Sequence, residues 1–568
     1  MDTSEINLII GGQAGQGTQT IGYAISKVFT RMGLHVFFYN SFESRIRGGH
    51  SFVNIRAAQG PVGSHKDVVD ILVVLDGNTL NLHAEEVTEK GIIIYDGTNL
   101  KVDACKRSCI AVPFVQLAKE IGDSLYANSV AVGSLTAVLG LDLKYIQEVL
   151  KDSFKDKEEK VLNENLRAAK AGFDYALKII PSGIEISKFK QGGSPKLLMS
   201  CAEAVGLGAL AGGVKFYSGY PMTPSTGIMT YLAENQDRFG IVVEQAEDEI
   251  AAINMVLGAS YAGARAMTGT SGGGFALMVE GVSLAGMTET PIVIIEGQRP
   301  GPATGLPTRT EQGDLRFVLH AGHGEFPKII FTPGTPSEAY ILTKKALDLA
   351  DKYQIPVFVM IDQLLADCYF SEENLDIGNI QPRYYPLSHE ELAKIKEYKR
   401  YLLTPDGISP RALPMQSRHL VVVDSDEHDE WGHLTEDLVI RKKMVEKRLK
   451  KYELIKKEIE SPIEFMVGDA DTILIGWGST YGATRDAVLE GRRKGKKIGM
   501  VHLPQVWPLP SELLKFFDGK KKIMVVENNA TGQLVSIIKQ ELVKEPSGFI
   551  GKYDGKPFTA DYILERLK

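Results

Sequence analysis

The 568-residue sequence predicts an α/β protein built as three successive α/β domains. Three observations predict it. Short apolar runs end repeatedly in Gly, Asp or Asn, helical stretches separate those runs, and two polar interruptions divide the alternation into three parts. Strands alternating with helices in this way make parallel sheets covered on both faces.

Taken in order, residues 1–182 carry apolar runs at Asn7–Ile10, Val36–Tyr39, Ile71–Leu75 and Ile92–Tyr95, with a helical stretch at Thr20–Met32 between the first two. Residues 183–195, Gly-Ile-Glu-Ile-Ser-Lys-Phe-Lys-Gln-Gly-Gly-Ser-Pro, lose the apolar periodicity and read as a linker. The second domain, 196–375, resumes the alternation at Ile241–Val243, Ala264–Thr268, Ile292–Glu296, Ile329–Thr332 and Val357–Ile361. An irregular and helical connection follows over 376–464. Its charged helix, Glu436–Glu460, reads as a solvated strut. The third domain, 465–568, has strands at Thr472–Gly476, Ile498–His502 and Lys522–Val526.

Composition narrows the class. A hydrophobic fraction of 44% and a charged fraction of 24% are those of an ordinary globular protein. The net charge of −7 gives no nucleic-acid footprint. No apolar run approaches the ~18–20 residues of a membrane span, and because Met1-Asp-Thr-Ser-Glu leads directly into a strand, no signal peptide is expected. Cys105, Cys109, Cys201 and Cys368 are few and scattered, so no disulfide framework is expected and a reducing cytoplasm fits. Cys105 and Cys109 are expected to be incidental thiols, because no second pair or histidine completes a metal site.

Chemistry concentrates at turns that follow strands. In a parallel sheet the ligand site lies at the strands' carboxyl ends. Gly11-Gly-Gln-Ala-Gly-Gln-Gly17 opens a helix, where exposed N–H groups and the dipole attract an anion. No Gly-Lys-Ser/Thr follows, so it is not a P-loop; tight packing is the bland alternative. Arg45, Arg47 and Gly48 sit after the second strand, and arginine forks suit phosphate oxygens. With Gly12, Gly15 and Gly17 they suggest docking of an anionic group such as the phosphates of coenzyme A.

In the second domain, Tyr220-Pro221-Met222-Thr223-Pro224-Ser225-Thr226 holds two prolines around a threonine, a stiff loop that presents the Thr223 hydroxyl. Ser225 or Thr226 also suits a helix N-cap. Glu244, Glu247, Asp248 and Glu249 crowd a strand end and the first turn of a helix, where acids are electrostatically favoured. Glu249 has apolar neighbours; if buried, it needs a hydrogen-bond partner. Arg299 follows a strand and, if buried, needs a carboxylate.

With these residues the chain resembles the alpha subunit of 2-oxoacid:ferredoxin oxidoreductases, in the form with a gamma domain fused ahead of it, as in 2-oxoglutarate:ferredoxin oxidoreductase. The gamma domain is matched through Gly11–Gly17 and Arg45–Gly49. A thiamine pyrimidine-binding domain is matched through Tyr220–Thr226, Glu247–Ser260 and Gln298–Gly305. A transketolase-like C-terminal domain and its approach are matched through Ser425–His433, Leu503–Pro508 and Glu527–Gln533. The Tyr-Pro-x-Thr-Pro-Ser motif is fairly specific; Met222 stands where isoleucine is usual.

The resemblance implies a cytoplasmic enzyme that decarboxylates a 2-oxoacid, passes electrons to ferredoxin and transfers the acyl group to coenzyme A. Thiamine diphosphate is shared with a beta subunit, which carries the diphosphate and Mg²⁺ site and a [4Fe-4S] cluster; a dimer of heterodimers is implied. This chain shows no cluster cysteines of its own. Carried over, Glu249 bonds the pyrimidine nitrogen, with Gly258 nine residues on; Glu247 or Glu244 stays open as the relay. Thr223 and Arg299 contact the substrate, Arg299 through its carboxylate. Tyr220, Pro221 and Glu247 line the coenzyme. The fused order and the His428–His433 region favour 2-oxoglutarate over pyruvate, branched-chain or aryl-pyruvate substrates. A non-catalytic nucleotide- or acyl-CoA-binding subunit is the alternative of a different class, but it leaves Thr223, Glu249 and Arg299 unexplained.

Overall fold

The computed structural model describes residues 5–44, 48–100, 107–180, 193–375, 381–519 and 521–567. The chain forms two compact units. One comprises Met1–Met199 with Cys368–Asn374 and Thr559–Tyr562; the other comprises Ser200–Asp367 with Leu375–Phe558 and Ile563–Lys568.

The first unit holds an eight-stranded sheet in the order Ser108–Val112, Val87–Asp96, Val69–Val74, Glu5–Gln13, His50–Ala58, His35–Ser41, Tyr369–Glu372, Leu197–Met199. The first four strands run parallel, but the rest pair antiparallel. The wholly parallel sheet expected over 1–182 is therefore corrected to a mixed one. Only eight residues join His35–Ser41 to His50–Ala58, and a parallel pairing needs a crossover of a dozen or more. Leu8, Ile10, Ile25, Phe29, Val53 and Ile55 belong to the core beneath the sheet. The helices Ala127–Val138 and Glu159–Ile179 touch through glycines: a Cβ on Gly133 would stand 1.9 Å from Ala169 O, and one on Gly172 2.1 Å from Val130 O.

Cys109 lies on the sheet's edge strand and is disulfide-bonded. The expectation of an incidental thiol does not hold there. Cys105 lies outside the described residues.

The second unit contains two sheets. A seven-stranded one runs Gln505–Trp507, Ile329–Phe331, Pro356–Asp362, Ile292–Gln298, Ala266–Thr270, Phe216–Gly219, Val242–Gln245. All its pairings are parallel except that of Gln505–Trp507 with Ile329–Phe331. A five-stranded sheet runs Ile463–Phe465, Ile498–Leu503, Thr472–Trp477, Lys522–Glu527, Gly548–Gly551. Ile294 and Phe358 of the larger sheet share one core cluster with Trp477 and Val525 of the smaller.

The charged helix, Leu438–Lys450, departs from a solvated strut. Lys447, Arg448 and the following Lys451 are buried. Lys447 Nζ lies 2.6 Å from Glu289 Oε1 and Lys451 Nζ 2.5 Å from Glu289 Oε2, and Arg400 donates to the Glu289 carbonyl at 2.8 Å. Composition shows the charges but not the single buried acid that gathers them. Among the described residues, no helix is long and apolar enough to cross a membrane.

Candidate active site

The strand ends Gly219, Thr270 and Gln298 lie side by side at the carboxyl edge of the seven-stranded sheet. From the first emerges the Tyr220–Pro224 loop, with a cis Thr223–Pro224 bond. Tyr220 is exposed, while Pro221 and Thr223 are half-buried. Arg299 Nη1 donates to the Thr223 carbonyl at 2.8 Å, tying this loop to the one after Ile292–Gln298. Pro224 fills the space that a side chain on Gly297 would need, with its Cγ 3.1 Å from that Cβ position. Ser225 occupies the N-cap of Thr226–Glu234 without a side-chain cap bond; its Oγ donates to the Met222 carbonyl at 2.8 Å instead. The loop's own closure takes the hydroxyl that the sequence assigns to capping.

Burial separates the carboxylates that crowd this junction in the sequence. Glu244 and Glu247 are exposed, whereas Glu249 is 4% exposed. Asp248 caps the helix Glu249–Tyr261, accepting from Ala251 N at 2.7 Å. Glu249 is thereby released from capping, and its Oε1 is buried with no hydrogen-bond partner. An unmet buried acceptor costs ~1–3 kcal/mol, more when charged. Gly274, in the first turn of Gly272–Thr288, leaves the room: a Cβ there would stand 2.3 Å from Glu249 Oε1 and 2.2 Å from Thr270 Oγ1.

Two further acids act electrostatically on Arg299, and neither is marked out in the sequence. Glu296 is fully buried near the end of Ile292–Gln298, and neither of its oxygens has a hydrogen-bond partner. Burial, with the Asp314 charge behind it, pushes its carboxyl well above the usual range against the pull of Arg299. Burial pushes Asp314 up to about 6, again against Arg299. Burial likewise lowers the Arg299 guanidinium, and the two acids oppose that. An acid inside the strand Ile-Val-Ile-Ile-Glu-Gly-Gln, buried at every position, is the signal that could have found Glu296.

In the first unit, Gly11 and Gly12 belong to the strand itself, which runs to Gln13, so the turn proper is 14–17, exposed except for the half-buried Gly17. Gly15 and Gly17 adopt φ of 94° and 82°, and Gly17 caps Thr18–Arg31 without a side-chain bond. Gly48 also has a positive φ of 76°. Arg45 and Arg47 lie outside the described residues. Beside the turn, His50 Nε2 meets His83 Nε2 at 2.9 Å, and His83 Nδ1 meets Glu86 at 2.7 Å. Among the described residues, no group of three His, Cys, Asp or Glu is placed to hold a metal.

Comparison with known proteins follows this layout. Residues 7–175 match the family described as pyruvate ferredoxin/flavodoxin oxidoreductase. Residues 207–447 match its thiamine diphosphate-binding domain, and 470–563 match pyruvate:ferredoxin oxidoreductase core domain II. The 2-oxoacid:ferredoxin oxidoreductase subunit alpha of a Sulfolobus species is 34% identical over 99% of this chain and 96% of its own. The 2-oxoglutarate oxidoreductase subunit KorA of Mycobacterium tuberculosis is 26% identical over 98% of this chain and 90% of its own. The solved 2-oxoglutarate:ferredoxin oxidoreductase of Magnetococcus marinus, with 2-oxoglutarate, coenzyme A and succinyl-CoA bound, superposes with a TM-score of 0.91 at 32% identity, covering 99% of each chain. With a pyruvate ferredoxin/flavodoxin oxidoreductase segment ahead of a thiamine diphosphate-binding domain, the chain belongs to the 2-oxoacid:ferredoxin oxidoreductases, as an alpha subunit.

Proposed function

We propose that this alpha subunit works with a separate beta subunit in the coenzyme A-dependent oxidative decarboxylation of 2-oxoglutarate, with ferredoxin as electron acceptor. The beta subunit completes the thiamine diphosphate pocket with Mg²⁺ and carries a [4Fe-4S] cluster; the assembly is a cytoplasmic dimer of heterodimers. The observation that carries this reading is the orphaned, buried Glu249 Oε1 in the space left by Gly274. The donor chemistry fits a heteroaromatic ring: a carboxylate oxygen without a partner suits a ring nitrogen that shares a proton with it. The fully buried Thr270 borders this space with its Oγ1.

Thiamine diphosphate, when bound, supplies a nucleophilic carbon and an electron sink for decarboxylation. Glu249 holds a proton at Oε1 against the pyrimidine nitrogen, and Asp248 fixes the start of its helix. Arg299 binds the 2-oxoacid carboxylate, its orientation set by the 2.8 Å bond to Thr223 O. The Thr223 hydroxyl faces the same substrate, and Tyr220, Pro221 and Glu247 border the coenzyme. Gly12, Gly15, Gly17 and Gly48, with Arg45 and Arg47, receive the phosphates of coenzyme A. Support for 2-oxoglutarate comes from the ligands of the Magnetococcus enzyme and from the KorA relatives.

The test is turnover of a 2-oxoacid panel by the alpha subunit co-expressed with its beta partner, with coenzyme A and ferredoxin. The highest kcat/KM is expected for 2-oxoglutarate. Preference for pyruvate or a branched-chain 2-oxoacid overturns the substrate, and absence of any turnover overturns the activity.

A further inference from the structure

Gln312 is fully buried, and every polar group it carries is taken by the domain of the five-stranded sheet. Its N–H donates to Asn528 O at 2.7 Å, and its carbonyl accepts from Asn529 Nδ2 at 3.0 Å. In the side chain, Oε1 accepts from Asn528 N at 2.9 Å and Nε2 donates to Trp477 O at 2.8 Å. Trp477 and Glu527 end neighbouring strands of that sheet, so Gln312 spans two adjacent strand ends. Gly478, at φ 54°, leaves it room: a Cβ there would stand 2.8 Å from Nε2. Gln533, on the helix that follows, holds the next residues, donating to Gly313 O at 2.6 Å and accepting from Arg316 N at 2.8 Å.

The segment held in this way closes the loop that Arg299 opens. Gln298, the buried last residue of Ile292–Gln298, accepts from Asp314 N at 3.2 Å, so the two ends of the loop meet. Between them the chain folds on itself. Leu306 N donates to Pro300 O at 3.1 Å, and Gly305, at φ 53°, lies so close that a Cβ would stand 1.7 Å from the same oxygen. A loop closed at its base and braced within carries a shift at residue 312 through to residue 299. Neutral amides make the hold, so it does not titrate.

Resting on the proposed function, we infer that Gln312 is a positioning residue for Arg299. It pins the far end of the arginine's loop to the domain of the five-stranded sheet, and that domain thereby sets the grip on the 2-oxoacid carboxylate. A binding group misplaced by an ångström holds its substrate poorly, even when the residue that sets its place lies far from the chemistry. Removing the side-chain amide leaves Asn528 N and Trp477 O without their partner in a buried place, and the segment shifts to satisfy them.

The experiment is steady-state kinetics of the alpha–beta complex with the best 2-oxoacid, at saturating coenzyme A and ferredoxin. Gln312→Met keeps the length and removes the side-chain bonds. It is expected to raise KM about tenfold, with kcat within about threefold and thiamine diphosphate affinity unchanged. On an Arg299→Lys background the same change is expected to raise KM less than about twofold, because the grip it acts through is already lost. Thr332→Val is the structural control. Thr332 Oγ1 donates to Leu503 O at 2.7 Å and joins the same two sheets outside the arginine's loop. Its loss is expected to lower the thermal midpoint and leave KM in place. An unchanged KM in Gln312→Met, an undiminished rise on Arg299→Lys, or an equal rise in Thr332→Val overturns the inference while leaving the proposed function standing. Should Gln312→Met fail to assemble, Gln533→Met is read by the same criteria, and an unchanged KM there overturns it as well. A wild type that turns over no 2-oxoacid overturns the proposed function, and the inference with it.

Discussion

Gly274 and Glu249 occupy one space between them: the point where residue 274 would carry a Cβ lies 2.3 Å from the Glu249 Oε1 atom. The missing methyl leaves the carboxylate room to meet a ligand. Gly274→Ala should remain folded, since a helical alanine is intrinsically favoured over glycine by ~1 kcal/mol. It must, however, displace Glu249 or Thr270. Thiamine diphosphate binding to the alpha–beta complex should weaken at least about tenfold, while the thermal midpoint changes little. Unchanged coenzyme affinity would argue against the cradle.

The acids of this junction should part company by burial. Glu249→Gln should lower 2-oxoacid decarboxylation by ~10²–10⁴-fold, the usual scale for a lost proton-transfer group. Glu244→Gln and Glu247→Gln, at exposed positions, should keep rates within about twofold of wild type. Full activity in Glu249→Gln with loss in Glu247→Gln would move the assignment to Glu247.

Arg299 should not tolerate lysine. A lysine keeps the charge but loses the fork that can bond Thr223 O and, on the proposed function, the substrate carboxylate together. Steady-state kinetics of Arg299→Lys should show KM for the 2-oxoacid raised by about ten- to hundredfold, with the smaller effect on kcat.

Far from the chemistry, Glu289 makes a stability prediction. Burial pushes its carboxyl up, but Lys447, Lys451 and Arg400 outweigh burial and hold it well below the usual carboxylate range. Its share of stability is therefore fully present above the unfolded value of ~4.3 and is lost as pH falls below it. Glu289→Gln leaves two buried ammonium groups uncompensated and should cost about 3–5 kcal/mol at pH 7 by denaturant unfolding. Between pH 4 and pH 2 the wild type should lose more stability than the variant. Equal losses would show that the cluster is not the acid-sensitive element.

Where burial is apolar and local, strands and helices were legible. The runs at Ile292–Glu296 and Ile498–His502 correspond to strands Ile292–Gln298 and Ile498–Leu503. His50–Ala58 was not, because Ser51, Asn54 and Arg56 are buried polar residues that break the apolar pattern. Arg56 is satisfied by Glu5 at 3.0 Å and by Ser64 O, partners that only the folded sheet brings near. At the site, Thr223, Glu249 and Arg299 stood out because proline, helix-start and loop chemistry mark them locally. Glu296 and Asp314 were missed for a different reason: each is ordinary in its own segment and acquires meaning only beside Arg299.

The strand Gln505–Trp507 closes the seven-stranded sheet by pairing with Ile329–Phe331, although it comes from far along the chain. Trimming the polypeptide before residue 505 would thus uncover a raw β-edge on the very sheet that presents Thr223, Glu249 and Arg299, and such an edge invites aggregation. Shortened versions meant to isolate the coenzyme-binding half should keep the tail, or supply that strand in trans.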